Sequence, residues 1–190
     1  MEQSAHWGGR ARIDNEAVDW AAVETCLDNT LAELQDLPNV ALRTRTTGVG
    51  IYDHGYLLGY ERISDHAPEM VGPRHRLWRI RADHIITATG ALERPLSFAE
   101  NDKPGVVLAS ALRDYLIGYG VSLGDRTVVV TNNDDAYLTA IAVKNAGLDV
   151  PAIIDARQSG AGDLGEKVRA LGIRVETGKG IAKVMGGKRV

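Results

Sequence analysis

The stretch TVVVTNNDDAYLTAIAVKNAGLDVPAIID, residues 127–155, decides the fold of this sequence. It opens with a short apolar run, Thr127–Thr131, continues with a helical pattern over 136–146, and closes with a second apolar run, Val150–Asp155. Strand, helix and strand joined by short connections predict a βαβ unit, because parallel strands need a crossover between them. The stretch therefore predicts an α/β fold with a parallel sheet.

The flanking sequence extends this prediction in both directions. A second helix and strand follow over Gly162–Leu171 and Ile173–Glu176, and a further helix precedes them over 108–119. Gly147 and Gly172 stand directly after two of these helices, where a left-handed residue favours glycine. The C-terminal half is therefore expected to be a Rossmann-like unit.

The N-terminal half has a different pattern. Residues 16–36 predict an amphipathic helix, with Asp14 or Asn15 as its N-cap and Cys26 as a buried, inert thiol. A run of short strands should follow and form a small antiparallel meander, and the apolar run 84–90 predicts one more strand. The predicted strands before it are Val40–Arg45, Gly48–Tyr52, Tyr56–Ile63 and Leu77–Arg81. Turn and surface positions are expected for His54, His66 and His75.

Composition excludes several classes of function. The 190 residues carry a net charge of −3, which argues against a nucleic-acid partner, and no apolar run reaches the length of a membrane span. Cys26 is the only cysteine, so no thiolate metal cluster is expected. We predict a soluble, cytoplasmic protein. Both ends read as cut, with Gly186-Gly187 as a hairpin turn, so we expect a fragment of a longer chain, and self-association of that fragment is left open.

The loop TNNDDAY, residues 131–137, stands where dinucleotide-binding proteins hold a pyrophosphate. A helix N-terminus attracts anions, yet this loop has no glycine, and Asp134 and Asp135 would repel a phosphate. The favoured interpretation makes Asp134 a side-chain N-cap. Asp155 lies about where a ribose-binding acid would sit, although Arg157 is close enough to pair with it. Nucleotide binding at this loop stays open as the alternative.

Two further stretches suit a ligand. Glu2 precedes Gly8-Gly9, and in a dinucleotide domain an acid at a strand end holds the ribose hydroxyls. In ITATGALERP, residues 86–95, the small residues would allow close approach of a ligand to the backbone, or the chain simply leaves a strand there.

Taken together, ATGALERP (88–95) and TNNDDAY (131–137) closely resemble the alpha subunit of heterotetrameric sarcosine oxidase, and the similarity runs over nearly the whole chain. A wider resemblance reaches the alpha subunits of amino-acid, proline and opine dehydrogenases. The resemblance implies a truncated, Rossmann-like two-dinucleotide-binding fold, with an outer domain at 1–103 and an inserted domain at 104–190. It also implies NAD in this subunit, FAD and FMN in the complex, and tetrahydrofolate as one-carbon acceptor.

The resemblance implies partners and a site as well. The beta, gamma and delta subunits would complete an enzyme that oxidises sarcosine to glycine with release of hydrogen peroxide. No catalytic or metal residue is implied here, and the outer glycine motif would lie upstream of Met1, so the fragment alone should be inactive. The alternatives are the alpha subunit of a related dehydrogenase and a non-catalytic assembly module. The cofactor residues that it implies are Glu2, Gly8, Gly9, Thr46, Thr47, Thr89 and Gly90.

Overall fold

The computed structural model describes residues 1–14 and 22–190. The chain divides into two compact units, Met1–Gly90 and Ala91–Val190. The break between the units falls earlier in the chain than the boundary that the sequence suggests at 103 and 104. The domain assignment itself stays a prediction.

The first unit contains the predicted antiparallel meander. Its sheet runs in the order β1-β2-β3, with both neighbouring pairs antiparallel, and it confirms three of the predicted strands, whose bounds differ by at most two residues. Two helices precede the sheet. The elements are α1 (Ala11–Asp14), α2 (Val23–Gln35), β1 (Thr46–Tyr52), β2 (Tyr56–Arg62) and β3 (His75–Arg81).

The start of the N-terminal helix differs from the prediction. The described part of α2 begins at Val23, and its N-cap is Ala22, which makes no side-chain capping bond. Asp14 belongs to α1, where its carboxylate pairs with Arg10 at 2.9 Å, so it does not cap α2. The predicted residues 16–21 and Asn15 lie outside the described residues. Cys26 is partly exposed rather than buried.

Two predicted strands do not form in the first unit. Residues 40–45 are irregular, although Arg43 and Thr46 exchange backbone hydrogen bonds of 2.8 Å with Glu2. Residues 84–90 are also irregular, and Ile86 is 92% exposed. A strand exists only when a neighbour satisfies its backbone groups, and the described part of the chain supplies no such ladder here.

The second unit contains the predicted α/β alternation. Its parallel sheet runs in the order β4-β5-β6, so the βαβ interpretation of residues 127–155 is confirmed. Gly147 and Gly172 follow their helices with φ of 81° and 79°, as predicted. The elements are α3 (Ala109–Tyr119), β4 (Arg126–Thr131), α4 (Asp135–Asn145), β5 (Asp149–Asp155), α5 (Asp163–Ala170) and β6 (Arg174–Thr177).

The hairpin predicted at Gly186-Gly187 is wrong. In the described chain, residues 181–190 form no strand pair beyond one isolated parallel bridge between Ala99 and Lys183. A two-residue turn makes a hairpin only when two strands flank it, and residues 188–190 are too short for the second strand.

The core of the second unit lies between α4 and the sheet. Tyr137, Ala140 and Val143 recur every three residues along α4, so they share one helix face, and all three are fully buried. They pack in one cluster with Val150 and Ile153 of β5. This packing fixes the C-terminal ends of β4 and β5 beside the N-terminus of α4, where an α/β fold places its ligand crevice.

Candidate functional site

The loop between β4 and α4 is shaped by its own polar side chains. Thr131 Oγ1 accepts a hydrogen bond from the Asn133 amide at 3.0 Å and donates one to the Asn133 carbonyl oxygen at 2.9 Å. These bonds fold the backbone at the end of β4 without the glycines that a pyrophosphate-binding loop uses.

Asp155 ends β5 and is completely buried. Tyr137 Oη donates to Asp155 Oδ2 at 2.8 Å. Arg157 donates from its amide (2.9 Å) and Nε (3.1 Å) to Oδ1, and from Nη2 (2.8 Å) to Oδ2. The predicted pairing of Arg157 with Asp155 is therefore confirmed. Both carboxylate oxygens bond internally, which leaves this acid poorly placed to receive a ribose hydroxyl.

Asp134 does not cap α4 with its side chain, so that part of the prediction is wrong. It occupies the N-cap position with φ −80° and ψ −27° and makes no capping bond, whereas a capping residue needs an extended backbone. Its Oδ1 instead lies 2.7 Å from Arg157 Nη1. One guanidinium thus joins the acid at the start of α4 to the acid at the end of β5.

Asp135 is held from the other side by Arg113 of α3. Arg113 Nη2 lies 2.6 Å from Asp135 Oδ1, and Arg113 Nη1 donates to the Asp135 carbonyl oxygen at 3.1 Å. The Arg113 side chain is almost fully buried. The two adjacent aspartates therefore bind two different arginines. These ion pairs lie at the N-terminus of α4, where a dinucleotide-binding loop would hold its phosphate.

The buried carboxylate governs the protonation of this network. Burial disfavours the charged form of Asp155, yet hydrogen bonds from Arg157 and Tyr137 outweigh it and hold its pKa below the ordinary 3.8. Burial, together with the hydrogen bond to Asp155, raises the pKa of Tyr137 to about 12. Asp155 therefore stays ionised and Tyr137 stays neutral throughout the physiological range.

The Tyr137→Phe substitution should change stability at alkaline pH. The unfolded tyrosine ionises near pH 10, whereas the folded one stays neutral to about 12, so stability falls as pH rises through this interval. In Tyr137→Phe this contribution is absent, so its stability should fall less between pH 10 and 12. Urea unfolding at a series of pH values measures it, with Tyr115→Phe at a half-exposed position of α3 as control. Parallel curves for Tyr137→Phe and wild type would contradict the prediction.

The Asp134→Ala substitution should have a small effect. The Asp134–Arg157 pair is partly exposed, and such pairs contribute about 0–1 kcal/mol, so we expect a loss of less than about 1 kcal/mol in the free energy of unfolding. Urea unfolding measures it against Asn132→Ala in the same exposed loop. A loss near 2 kcal/mol would show that Asp134 has a larger structural role than an exposed ion pair.

The first unit brings part of the sequence-predicted cofactor set together. Glu2 is tied to Thr46, whose amide donates to the Glu2 carbonyl oxygen at 2.8 Å. Glu2 Oε1 accepts the Ser4 amide at 2.7 Å, while Oε2 has no hydrogen-bond partner among the described residues. Gly8 has φ of 110°, and a Cβ there would lie 2.7 Å from Leu27 Cδ1. Gly9, with φ of 48°, faces open space.

The remaining predicted residues are spread over different places. Thr46 and Thr47 are successive residues of β1 and so point to opposite faces of the sheet. Thr46 is buried, with its Oγ1 donating to the Thr44 carbonyl oxygen at 2.9 Å. Thr89 and Gly90 are exposed, and within the described residues no hydrogen bond joins them to Glu2. The structure therefore links Glu2 with Thr46 and leaves Thr89-Gly90 apart.

Sequence reasoning missed Glu93, which lies inside the ATGALERP signature. Its carboxylate accepts the amides of Ala109 (3.2 Å) and Ser110 (2.7 Å) at the start of α3. An acid that binds free amides at a helix N-terminus stabilises that helix. The signature motif thus contains a capping residue, which sequence spacing cannot reveal because 15 residues separate the acid from the helix it caps.

His75 is exposed, as predicted, but it also has a carboxylate partner. Its Nε2 lies 2.8 and 2.9 Å from the two carboxylate oxygens of Asp65, and its ring lies 5.2 Å from that of Tyr60. The partner acid is ten residues away, beyond the turn, so no local pattern identifies it.

The second unit also contains an open, mostly apolar cavity of about 600 Å³ beside β4. Glu93, Leu96, Val128 and Arg126 are among the residues that line it. None of the sequence-predicted cofactor residues lines this cavity.

In the described ranges, 1–14 and 22–190, no cluster of three or more histidine, cysteine, aspartate or glutamate side chains is arranged to hold a metal ion. The same ranges contain no helix whose length and apolar character would let it cross a bilayer.

Comparison with solved structures finds a similar fold in two oxidoreductases. L-proline dehydrogenase from P. horikoshii matches 98% of this chain and 31% of its own, with a TM-score of 0.63 and 17% identity. A water-forming NADH oxidase from Lactobacillus brevis, solved with NADH, matches 93% of this chain and 38% of its own, with a TM-score of 0.51 and 12% identity. At such low identities these matches speak to the fold alone.

Comparison with curated sequences is more specific, although no family model matches the chain. Sarcosine oxidase subunit alpha from Rhizobium meliloti (strain 1021) is 40% identical over 166 residues, which are 86% of this chain and 17% of the relative. The corresponding subunits from Corynebacterium sp. strains P-1 and U-96 are 40% and 34% identical over 94% and 96% of this chain. This chain spans about a fifth of their length. The resemblance seen in the signature motifs is thereby confirmed: over nearly all of its residues, the chain is similar to one segment of the sarcosine oxidase alpha subunits.

Proposed function

We propose that this chain is the NAD-binding portion of the alpha subunit of a cytoplasmic, multi-subunit sarcosine oxidase, which demethylates sarcosine oxidatively to glycine and forms hydrogen peroxide. The observation that carries the proposal is the 34–40% identity to three sarcosine oxidase alpha subunits over 86–96% of the chain. The segment supplies no catalytic side chain and is inactive alone, since FAD, FMN and tetrahydrofolate bind elsewhere in the complex with the beta, gamma and delta subunits.

The proposed fold is a Rossmann-like two-dinucleotide-binding fold, with residues 1–103 as part of the outer domain and 104–190 as part of the inserted one. The parallel β4–β5–β6 sheet with α4 and α5 supports the inserted unit. The antiparallel β1–β2–β3 sheet supports the outer unit, and the likeness to the proline dehydrogenase supports the combination.

The NAD is assigned to the first unit for an electrostatic reason. In the second unit the crevice beside α4 presents two aspartates, and the acid that would hold a ribose bonds internally to Tyr137 and Arg157. In the first unit Glu2 keeps one carboxylate oxygen without a partner among residues 1–14 and 22–190, which suits a ribose hydroxyl. The proposed cofactor residues are Glu2, Gly8, Gly9, Thr46, Thr47, Thr89 and Gly90.

Calorimetry with NAD tests this assignment. In the full-length subunit, Glu2→Gln should weaken NAD binding about tenfold or more, because a hydrogen bond to a charged group contributes about 1.5–3 kcal/mol. Asp134→Asn, which removes a charge from the other crevice, should leave the affinity within about twofold. The 190-residue chain alone should bind NAD weakly or not at all, because the proposed phosphate loop lies outside it. Micromolar binding by the isolated chain, or an affinity loss confined to Asp134→Asn, would overturn the assignment.

A related dehydrogenase alpha subunit is the second candidate, favoured by the TM-score of 0.63 to the L-proline dehydrogenase. The related dehydrogenase ranks second because this chain is 40% identical to a sarcosine oxidase subunit but only 17% identical to the L-proline dehydrogenase. Reduction of the flavin in the assembled complex by sarcosine, but not by proline, would decide for the first candidate.

A non-catalytic assembly module is the third candidate, supported by the ion pairs that fill the crevice of the second unit. It predicts that the full-length subunit shows no NAD binding by calorimetry, whichever variant is used.

A further inference from the structure

The β1–β2–β3 sheet has one covered face and one open face. On the covered face, Trp78 Nε1 donates to Glu61 Oε2 at 2.7 Å, and the Arg43 guanidinium carbon lies 3.9 Å from the Trp78 ring centre. Thr46 is buried on this face, and a Cβ added at Gly59 would come within 3.1 Å of Met1 Sδ. The N-terminal segment therefore packs here, and on the opposite side it also reaches the strand-end residue Arg62, whose Nη2 donates to the Gln3 carbonyl oxygen at 2.7 Å.

The opposite side consists of the alternate register pairs of the sheet. Tyr56 lies opposite Arg81, Leu58 opposite Arg79, Tyr60 opposite Leu77, and Arg62 opposite His75, and paired residues share one face. Tyr52 of β1 is the register partner of Tyr56 and joins them. We call this surface the tyrosine–arginine face, and it consists of Tyr52, Tyr56, Leu58, Tyr60, Arg62, His75, Leu77, Arg79 and Arg81.

The composition of this face is unusual for a surface that only meets water. An antiparallel sheet with one solvated face normally carries polar residues there. Here Leu77 is 58% exposed and Tyr52 is 55% exposed, while Tyr52 and Tyr56 stack at 5.9 Å between ring centres. Tyrosine and arginine are the residues enriched at the energetic centres of protein interfaces, and acidic residues are depleted there.

The charge of this face is one-sided. Its register pairs contain three arginines and one histidine but no carboxylate. Asp65, outside these pairs, lies 2.8 Å from His75, and Arg62 donates to the Gln3 carbonyl oxygen, so the unpaired positive charge is that of Arg79 and Arg81. In the described chain neither Arg79 nor Arg81 forms an ion pair, and the Arg81 guanidinium lies 5.6 Å from the Tyr56 ring. Uncompensated guanidinium groups beside aromatic rings fit an acidic rim that surrounds an apolar centre.

We propose that the tyrosine–arginine face is a protein-docking surface, and that its occupant is another subunit of the complex, which presents an apolar patch bordered by carboxylates. Seven-residue strands make the face about 20 Å long, and three strands make it about 10 Å wide. The face thus covers about 200 Å², about a quarter of the roughly 800 Å² that each partner buries in a standard interface, and neighbouring surfaces would supply the rest. This inference rests on the proposed function, because it requires partner subunits.

The test uses the full-length subunit reconstituted with its partner subunits. The double variant Arg79→Glu/Arg81→Glu and the single variant Leu77→Asp should each weaken subunit association at least tenfold in analytical ultracentrifugation. Raising the salt concentration should weaken the wild-type complex more than the double variant. Matched controls are Arg174→Glu, an exposed arginine of β6, and Val71→Asp, an exposed apolar residue between β2 and β3. Both controls should assemble within twofold of wild type.

The outcomes separate this inference from the proposed function. Calorimetry with NAD on each variant shows that the subunit is folded, and an unchanged NAD affinity with weakened assembly supports the docking surface. Should Leu77→Asp fail to fold, the double variant decides, since both arginines are exposed.

Assembly within twofold of wild type in the double variant overturns the inference while the proposed function stands. Failure of the wild type to assemble overturns both. Binding of single-stranded RNA that is lost in the double variant, with assembly intact, would also overturn it.

Discussion

The Asp155→Ala variant is expected to lose about 3 kcal/mol in its free energy of unfolding. Removing one partner of a buried ion pair costs about 3–5 kcal/mol, and the lower end applies because Arg157 is about one-third exposed. The loss has two sources, since Tyr137 is left buried without its acceptor and Arg157 without its main counter-ion. Urea unfolding at pH 7 measures it. Because the pKa of Asp155 is lowered, its contribution is present above pH 3.8 and disappears as the pH falls through the folded value.

The matched control for this variant lies on the same strand. Asp149, at the other end of β5, also pairs with an arginine, Arg126, at 3.2 Å, but both side chains are more than half exposed. Asp149→Ala should therefore lose less than about 1 kcal/mol. Equal losses of unfolding free energy in the two variants would contradict the prediction, because they would show that the buried Asp155 stabilises the fold no more than the exposed Asp149.

The Ile153→Ala variant is expected to lose about 2–5 kcal/mol. Ile153 is fully buried in the middle of β5 and packs in the cluster formed with α4, so truncation removes apolar contacts and leaves a cavity. Chemical denaturation monitored by circular dichroism gives the value. Val128→Ala is the control, because Val128 is half-exposed on β4, and it should lose less than about 1 kcal/mol. A loss below 1 kcal/mol for Ile153→Ala would show that this cluster is not the core of the unit.

The second unit was predictable from sequence because the signals for its helices and strands are local. Each predicted helix and strand between 108 and 177 is present to within two residues, since apolar periodicity and glycine C-caps both act locally. In the first unit, the predicted strands are present only where they pair with a neighbouring strand. The meander forms because its three strands are consecutive, whereas the apolar run 84–90 finds no neighbouring strand in the described chain and stays irregular.

The site shows a similar division between local and long-range effects. The pairing of Asp155 with Arg157 was predictable because two residues separate them. The partner of Asp134 was not predictable, because its carboxylate can bind either nearby amides or Arg157 in the loop after β5. Only the folded chain brings Arg157 within 2.7 Å of it. The contact of Tyr137 was not predictable either, because its hydroxyl reaches Asp155 only after α4 packs on β5.

The strand order of the second unit has a consequence for how it forms. Because β4, β5 and β6 lie in the sheet in the same order as in the chain, each new strand can pair with the one made just before it. No strand must wait for a distant segment, so the contacts that close the sheet span short stretches of sequence, and short spans favour fast folding. This half of the molecule can therefore assemble step by step as it leaves the ribosome, in the direction of synthesis.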